Sequence, residues 1–162
     1  MTTFGRPIAL LLLVIGTIGC DRVTKQLATE SLAGTPTQSF FADTVRLTYA
    51  ENPGGFLSLG AAMSPGLRTA VFTVATGAML VVLAFVGWRQ RNRAWHAAAL
   101  ALFIAGGASN WVDRLNHGHV VDFLNVGIGW LRTGVFNVAD AAIMLGAALY
   151  LVAELRARSA RA

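Results

Sequence analysis

Cysteine is almost absent from this chain: its 162 residues hold one, Cys20. A single thiol excludes an internal disulfide framework and any multi-cysteine zinc site. Charge is scarce as well, with Asp, Glu, Lys and Arg making up 13% of the residues, about half the share usual in soluble domains. Acids are the rarer sign, 8 against 13 bases. So apolar a chain is neither disordered nor clothed in a water-soluble enzyme surface, and its length suits one domain, 1–162. What fills it instead is 55% hydrophobic residues, at a mean hydropathy of +0.58. A formal charge of +5 and a pI near 10.7 invite a nucleic-acid reading, which the placement of the bases argues against.

Two apolar runs carry a membrane reading. Residues 69–88 hold 20 positions without a charge, and residues 94–112 hold 19 with only His96 ionisable. A helix of that length covers roughly 30 Å of hydrocarbon. Residues 136–153 form a third run, broken only by Asn137 and Asp140. The N-terminal run, residues 8–20, has 13 positions. It spans if its helix continues through Asp21 and Lys25 towards Ala28, but that length also suits a signal-peptide core. The expected architecture is an all-α polytopic membrane protein with four transmembrane helices, near 8–28, 69–88, 94–112 and 136–153. Outer segments then cover roughly 29–66 and 113–134.

With both termini inside, the inner segments hold Arg6, Arg89, Arg91, Arg93, Arg156, Arg158 and Arg161 against one acid, Glu154. The remaining six bases and seven acids lie outside. Six of the inner bases form two tight clusters at helix ends, the pattern of cytoplasmic flanks. The bases therefore read as topology determinants rather than a nucleic-acid surface. In the first outer segment, residues 44–49 alternate polar and apolar, the signature of a half-buried strand. A turn signal, Asn52-Pro53-Gly54-Gly55, follows and runs into Phe56 and Leu57. Residues 119–123 suit a second extended piece, so a small extracytoplasmic sheet is expected.

Carboxylates at membrane depth are costly and ask for a reason. Asp113 has a bland one in its neighbour Arg114. Asn137 and Asp140 fit a capping box at a helix start. Asp122, between Val121 and Phe123, has no base within two positions. Two carboxyls within about 3 Å share one proton, giving a base and an acid at one place. Cys20 lacks a nearby His, and His117-x-His119 is a weak metal signal. His96, beside Trp95, reads as an interfacial anchor. Trp88, Trp95, Trp111 and Trp130 suit an aromatic belt, and Gly106 and Gly107 suit close helix packing that brings Asn110 near its neighbours.

Taken in order, the motifs resemble the lipoprotein signal peptidases (signal peptidase II), aspartic proteases of the bacterial inner membrane. The resemblance rests on Asp21-Arg22-Val23-Thr24-Lys25, Asn52-Pro53-Gly54-Gly55-Phe56, Gly106-Gly107 with Asn110-Trp111-Val112-Asp113-Arg114, Gly118-His119-Val120-Val121-Asp122-Phe123, and Asn137-Val138-Ala139-Asp140. Family members often read N-x-G-A-A-F in the second of these, where this chain has Pro53, Gly54 and Gly55. The resemblance implies an endopeptidase that removes signal peptides from diacylglyceryl-modified prolipoproteins on the N-terminal side of the lipidated cysteine. It implies Asp122 and Asp140 as the catalytic pair, leaving open which is base and which is acid. Asn52, Asn110, Asp113, Arg114 and Asn137 would support the site or touch substrate, and Asp21 and Lys25 would hold the first helix. It implies no metal, no cofactor and no nucleic-acid partner, a monomer in membrane lipid, cytoplasmic termini and a periplasmic active site. Two rivals remain. Thr17-Ile18-Gly19-Cys20 imitates a lipobox, which would make the chain itself a lipoprotein, and buried acids also serve proton-coupled transporters.

Overall fold

The computed structural model of the protein describes residues 5–54 and 62–160. Gly55, Phe56 and Leu57, the latter part of the expected turn, lie outside the described residues, as does Arg161. In chain order the elements are α1 (Gly5–Leu32), β1 (Gln38–Phe40), β2 (Val45–Asn52), α2 (Pro65–Thr69), a π-helical turn (Ala70–Ala75), α3 (Thr76–Arg89), α4 (Ala94–His117), β3 (Val120–Ile128), β4 (Leu131–Arg132) and α5 (Val138–Ser159). The fold is mostly helical, with one small antiparallel sheet.

Among the described residues, three helical stretches are long and apolar enough to cross a membrane: Gly5–Leu32, the continuous Pro65–Arg89, and Val138–Ser159. α1 is a single helix through Asp21 and Lys25. Its threonines are accommodated among apolar neighbours by folding their hydroxyls onto carbonyls four residues back, Thr17 Oγ1 to Leu13 O at 2.8 Å and Thr24 Oγ1 to Cys20 O at 2.7 Å. α2 opens with Pro65, whose missing N–H costs nothing in a first turn. The π turn that follows leaves Thr73 O to accept from the Trp111 Nε1–H of α4 at 2.7 Å. Trp111 is thus a bridge between helices, unlike the exposed Trp88, Trp95 and Trp130, and the expectation of a belt position for it is corrected.

α4 is the central helix, packed against α1, α3 and α5. Its course corrects the expected boundary at 112: it continues through Asp113 and Arg114 to His117. The apolar run stops at the first charge, but the helix continues because the Asp113 carboxylate meets cations on α1. It ends where Gly118 takes φ +76° and donates its N–H to Arg114 O at 3.0 Å. α5 likewise runs beyond the expected 153, to Ser159. His96 is no interfacial anchor: it is buried, with Nε2 3.3 Å from Glu154 Oε2 and its ring edge-on to Tyr150.

α4 and α5 touch through their glycines. A Cβ on Gly106 would lie 2.3 Å from Ala139 O, and one on Gly146 would lie 2.6 Å from Ala99 O. Backbone cannot yield as a side chain does, so Gly106→Ala is expected to destabilise the fold by about 2 kcal/mol. Gly16, on α1, has nothing within 4 Å of such a Cβ. Gly16→Ala should leave the thermal midpoint in detergent unchanged or raise it. Equal midpoints for the two variants would contradict the close packing.

The sheet runs β1-β2-β3-β4, every pairing antiparallel. β2 covers the expected 44–49 from Val45 onward and runs on to Asn52, but residues 45–50 are evenly half-buried rather than alternating. β3 extends well past 119–123, to Ile128. In their register Ala50 opposes Asp122 and Asn52 opposes Val120, after a shift between Leu47 and Ala50. A small core of Ala28, Leu32 and Phe123, flanked by Leu47 and Tyr49, ties the last turns of α1 to this sheet. Between β1 and β2, Phe41, Ala42 and Asp43 all take left-handed φ, of 53°, 50° and 66°, at roughly 1 kcal/mol or more each. Asp43 holds the turn: its Oδ1 accepts from Ser39 and Arg46 at 2.7 Å, and its backbone O accepts from Arg132 at 2.5 Å. The Arg46 guanidinium keeps the Asp43 carboxyl well below the usual carboxylate range.

Candidate active site

The site grows from the first turn of α5. Asn137 is its N-cap, and its Oδ1 accepts the Asp140 N–H at 2.9 Å. In return Asp140 Oδ2 accepts the Asn137 backbone N–H at 3.3 Å, completing the capping box anticipated from the sequence. This leaves Asp140 Oδ1 for α4, where Asn110 Nδ2 donates to it at 2.9 Å. Gly106 lies one turn before Asn110 and makes that approach possible.

Asp122 comes from β3 and reaches the same cap. Asn137 Nδ2 donates to its Oδ1 at 2.6 Å, and Asn52 Nδ2, from the end of β2, donates to its Oδ2 at 2.8 Å. Asn137 therefore holds both carboxyl groups, one through its side chain and one through its backbone. All five groups are buried: Asn137 is 0% exposed, Asp122 1%, Asn52 3%, and Asn110 and Asp140 5%. Burial pushes the Asp122 carboxyl up to about 6, and the nearby Asp140 charge adds to the rise. The amides of Asn52 and Asn137 and the Lys25 charge pull the other way.

A second layer fixes Asn110. Lys25 Nζ donates to Asn110 Oδ1 and to Asp113 Oδ2, each at 2.7 Å, and lies 2.7 Å from Asp21 Oδ2. Asn110 Oδ1 also takes a hydrogen bond from Asn137 Nδ2 at 3.2 Å. With its oxygen committed to these donors, the Asn110 amide must turn its Nδ2 towards Asp140. Asp21, fully buried, accepts from Ser109 Oγ at 2.7 Å and from the Ala139 N–H at 2.8 Å, joining α1 to both α4 and α5.

The structure thus brings Asp21, Lys25, Asn52, Asn110, Asp113, Asp122, Asn137 and Asp140 into one hydrogen-bonded assembly. Asp113 does not pair with Arg114 as its position suggested. Consecutive helical residues point apart, and its partners are Lys25 and Arg22. Arg114 borders the assembly, with Nη1 3.4 Å from Asn110 O and its guanidinium 5.8 Å from the Phe72 ring centroid. Its Nε is buried with no hydrogen-bond partner among the described residues. The sequence reading missed Ser109 and Arg22. The available signal was spacing: Ser109 stands one turn before Asp113, and Arg22 one residue from the Asp21/Lys25 pair. His117 and His119 have ring centroids 6.2 Å apart, and His119 Nε2 lies 3.7 Å from Glu51 Oε1. Among the described residues no three His, Cys, Asp or Glu side chains gather as metal ligands.

Two buried carboxyls bridged by one residue can hold, give and take a proton at one place, which is the equipment of general acid–base hydrolysis. The family profile described as "Signal peptidase (SPase) II" matches residues 13–156. The chain belongs to the signal peptidase II family. The chain is 34% identical to the lipoprotein signal peptidase of Paraburkholderia phymatum over 136 residues, covering 84% of this chain and 81% of that one. It is 39% identical to that of Sphingopyxis alaskensis over 142 residues, covering 83% and 78%. A solved "bacterial membrane enzyme" superposes with a TM-score of 0.84 over 95% of this chain and 92% of that one, at 23% identity. Membership makes the chain a peptidase, and with its apolar helices it is an inner-membrane protein.

Proposed function

We propose that this membrane peptidase is an aspartic endopeptidase that cleaves diacylglyceryl-modified prolipoproteins on the N-terminal side of the lipidated cysteine. The observation that carries this reading is the joint hold of Asn137 on Asp122 and Asp140. The ionised member of the pair takes a proton from water as the water oxygen bonds to the scissile carbonyl carbon. The protonated member hydrogen-bonds the carbonyl oxygen. When the C–N bond breaks, a proton passes to the departing cysteine amine. The two titrate as one unit. Arg114, whose Nε has no partner among the described residues, binds a substrate carbonyl, and Asn52 aligns Asp122. Lys25, Asp21 and Asp113 position the site without touching substrate.

In this reading α4 is the fourth span. It packs against three neighbouring helices, so less of it meets lipid. Residues 1–162 form one membrane-embedded domain whose basic helix ends, and both termini, face the cytoplasm. The paired carboxyls then lie at the periplasmic face, where the substrate's acyl chains remain in lipid while its peptide reaches the pair. The enzyme works as a monomer, with neither nucleic acid nor a cofactor. The continuity of α1 through Asp21 and Lys25 favours this over the lipoprotein rival. Intact mass decides between them, since a mature chain starting at a lipidated Cys20 would remove α1 as a span.

The direct test is conversion of a diacylglyceryl prolipoprotein, followed by gel shift, with pH varied. The active pair holds one proton, and burial that lifts the Asp122 carboxyl to about 6 sets the region in which the pair gives it up. Cleavage should therefore fall as pH rises through that region. Asn52 donates to the ionised carboxylate and so lowers this pKa. Asn52→Ala should raise it and move the alkaline limb to higher pH, whatever the loss in maximal rate. A limb that stays in place or moves to lower pH would contradict the Asn52–Asp122 contact.

A further inference from the structure

At the end of the bundle opposite the paired carboxyls, a groove of about 480 Å³ opens between the first turn of α4 and the last turns of α5. Its floor is apolar, formed by Leu149, Val152 and Ala153. Arg93 and Arg156 also line it. Among the described residues neither of these arginines has a carboxylate or hydrogen-bonding partner for its side chain, while Glu154, two residues before Arg156, is engaged by His96 at 3.3 Å and Arg158 at 3.2 Å. Arg93 is also the N-cap of α4, where no side chain caps the helix. Arg93 has no acceptor to offer, and its cation adds to the positive end of the helix dipole instead of offsetting it. A topology signal needs bases only at this end of the helices. It does not need two arginines that lack counter-ions among the described residues and flank an apolar cleft.

We infer that this groove holds an anionic phospholipid of the surrounding leaflet, its phosphate between Arg93 and Arg156 and an acyl chain along Leu149 and Val152. Positive charge without a counter-ion selects an anion, and an apolar floor beneath it selects an amphiphile. Basic clefts between membrane helices on the cytoplasmic side recur as headgroup sites. Two features separate this groove from the candidate active site: it lies at the opposite helix ends, and it contains no residue of the Asn137 assembly.

The test uses the full chain, purified in detergent and titrated with phosphatidylglycerol, phosphatidylcholine or inorganic phosphate, with bound lipid counted by native mass spectrometry. Phosphatidylglycerol is expected to be retained at one site, roughly thirty-fold more tightly than by the Arg93→Gln/Arg156→Gln double variant, two surface cations being lost. Arg158→Gln, whose guanidinium is occupied by Glu154, should bind as the parent does. Cleavage by the double variant shows that it is folded and keeps the test valid. Equal retention of phosphatidylcholine, unchanged phosphatidylglycerol binding by the double variant, or full competition by inorganic phosphate would each overturn the assignment. The last of these would reduce the groove to a simple anion site.

Discussion

Asp122→Asn and Asp140→Asn are each expected to abolish prolipoprotein cleavage, by about 10³-fold or more, while the protein still folds. Proton transfer by a positioned group contributes about 10²–10⁴-fold, and an amide can neither take a proton from water nor donate one as an acid. Structurally the exchange is mild. Asn keeps one oxygen acceptor, so Asp122→Asn loses at most one of the bonds from Asn52 and Asn137. A donor left facing a donor costs about 1–3 kcal/mol, which lowers the thermal midpoint without unfolding a normal domain. Asp113→Asn provides the contrast. Its carboxylate binds Arg22 and Lys25 rather than the paired acids, so stability and rate should fall without a chemical block. Near-normal gel shifts by both Asp122→Asn and Asp140→Asn would sink the acid pair. Complete loss in Asp113→Asn with an unchanged midpoint would mean that the chemistry extends to that carboxylate.

The largest stability effect is expected at Lys25. This ammonium group, 5% exposed, satisfies Asp21, Asn110 and Asp113 together. Lys25→Met fits the volume but leaves Asp21 and Asp113 facing each other without their common cation. Removing one partner from a buried charged set typically costs 3–5 kcal/mol, a large part of a typical stability of about 5–15 kcal/mol. Neutralising the abandoned acid should restore part of the loss. Lys25→Met combined with Asp21→Asn is expected to be destabilised by less than the two single changes together, by 0.5 kcal/mol or more. Unfolding in mild detergent with increasing denaturant measures all three variants. Strict additivity would mean that Lys25 and Asp21 do not act as one unit.

Local rules carried far in this chain. The Asn137-x-x-Asp140 spacing announced a capping box because that pattern depends only on four consecutive residues, and the box is present. Apolar run length located α3 and the body of α1 for the same reason. Spacing failed where a charge was neutralised from a distance. α4 continues through Asp113 only because Arg22 and Lys25, some 90 residues earlier in the chain, face it. His96 looked interfacial because its counterpart Glu154 lies 58 residues away. The register that brings the Asn52 amide within reach of Asp122 follows a shift between Leu47 and Ala50, which no short pattern in β2 or β3 reveals. The paired acids themselves were recognisable through their ordered resemblance to a family. What joins them, one asparagine serving one carboxyl with its side chain and the other with its backbone, is a property of the folded chain.

That asparagine belongs to α5, the last of the described helices to be translated. Asn137 and Asp140 are translated after every other member of the assembly, and until α5 docks against α4 and α1 the earlier-made Asp122 lacks its partner acid and one of its two amide donors. Under the proposed mechanism, a chain whose α5 has not yet docked has no complete acid pair. On that mechanism the order of translation alone does what a cleavable prosegment does in many secreted proteases: it withholds the acid pair until α5 has been made.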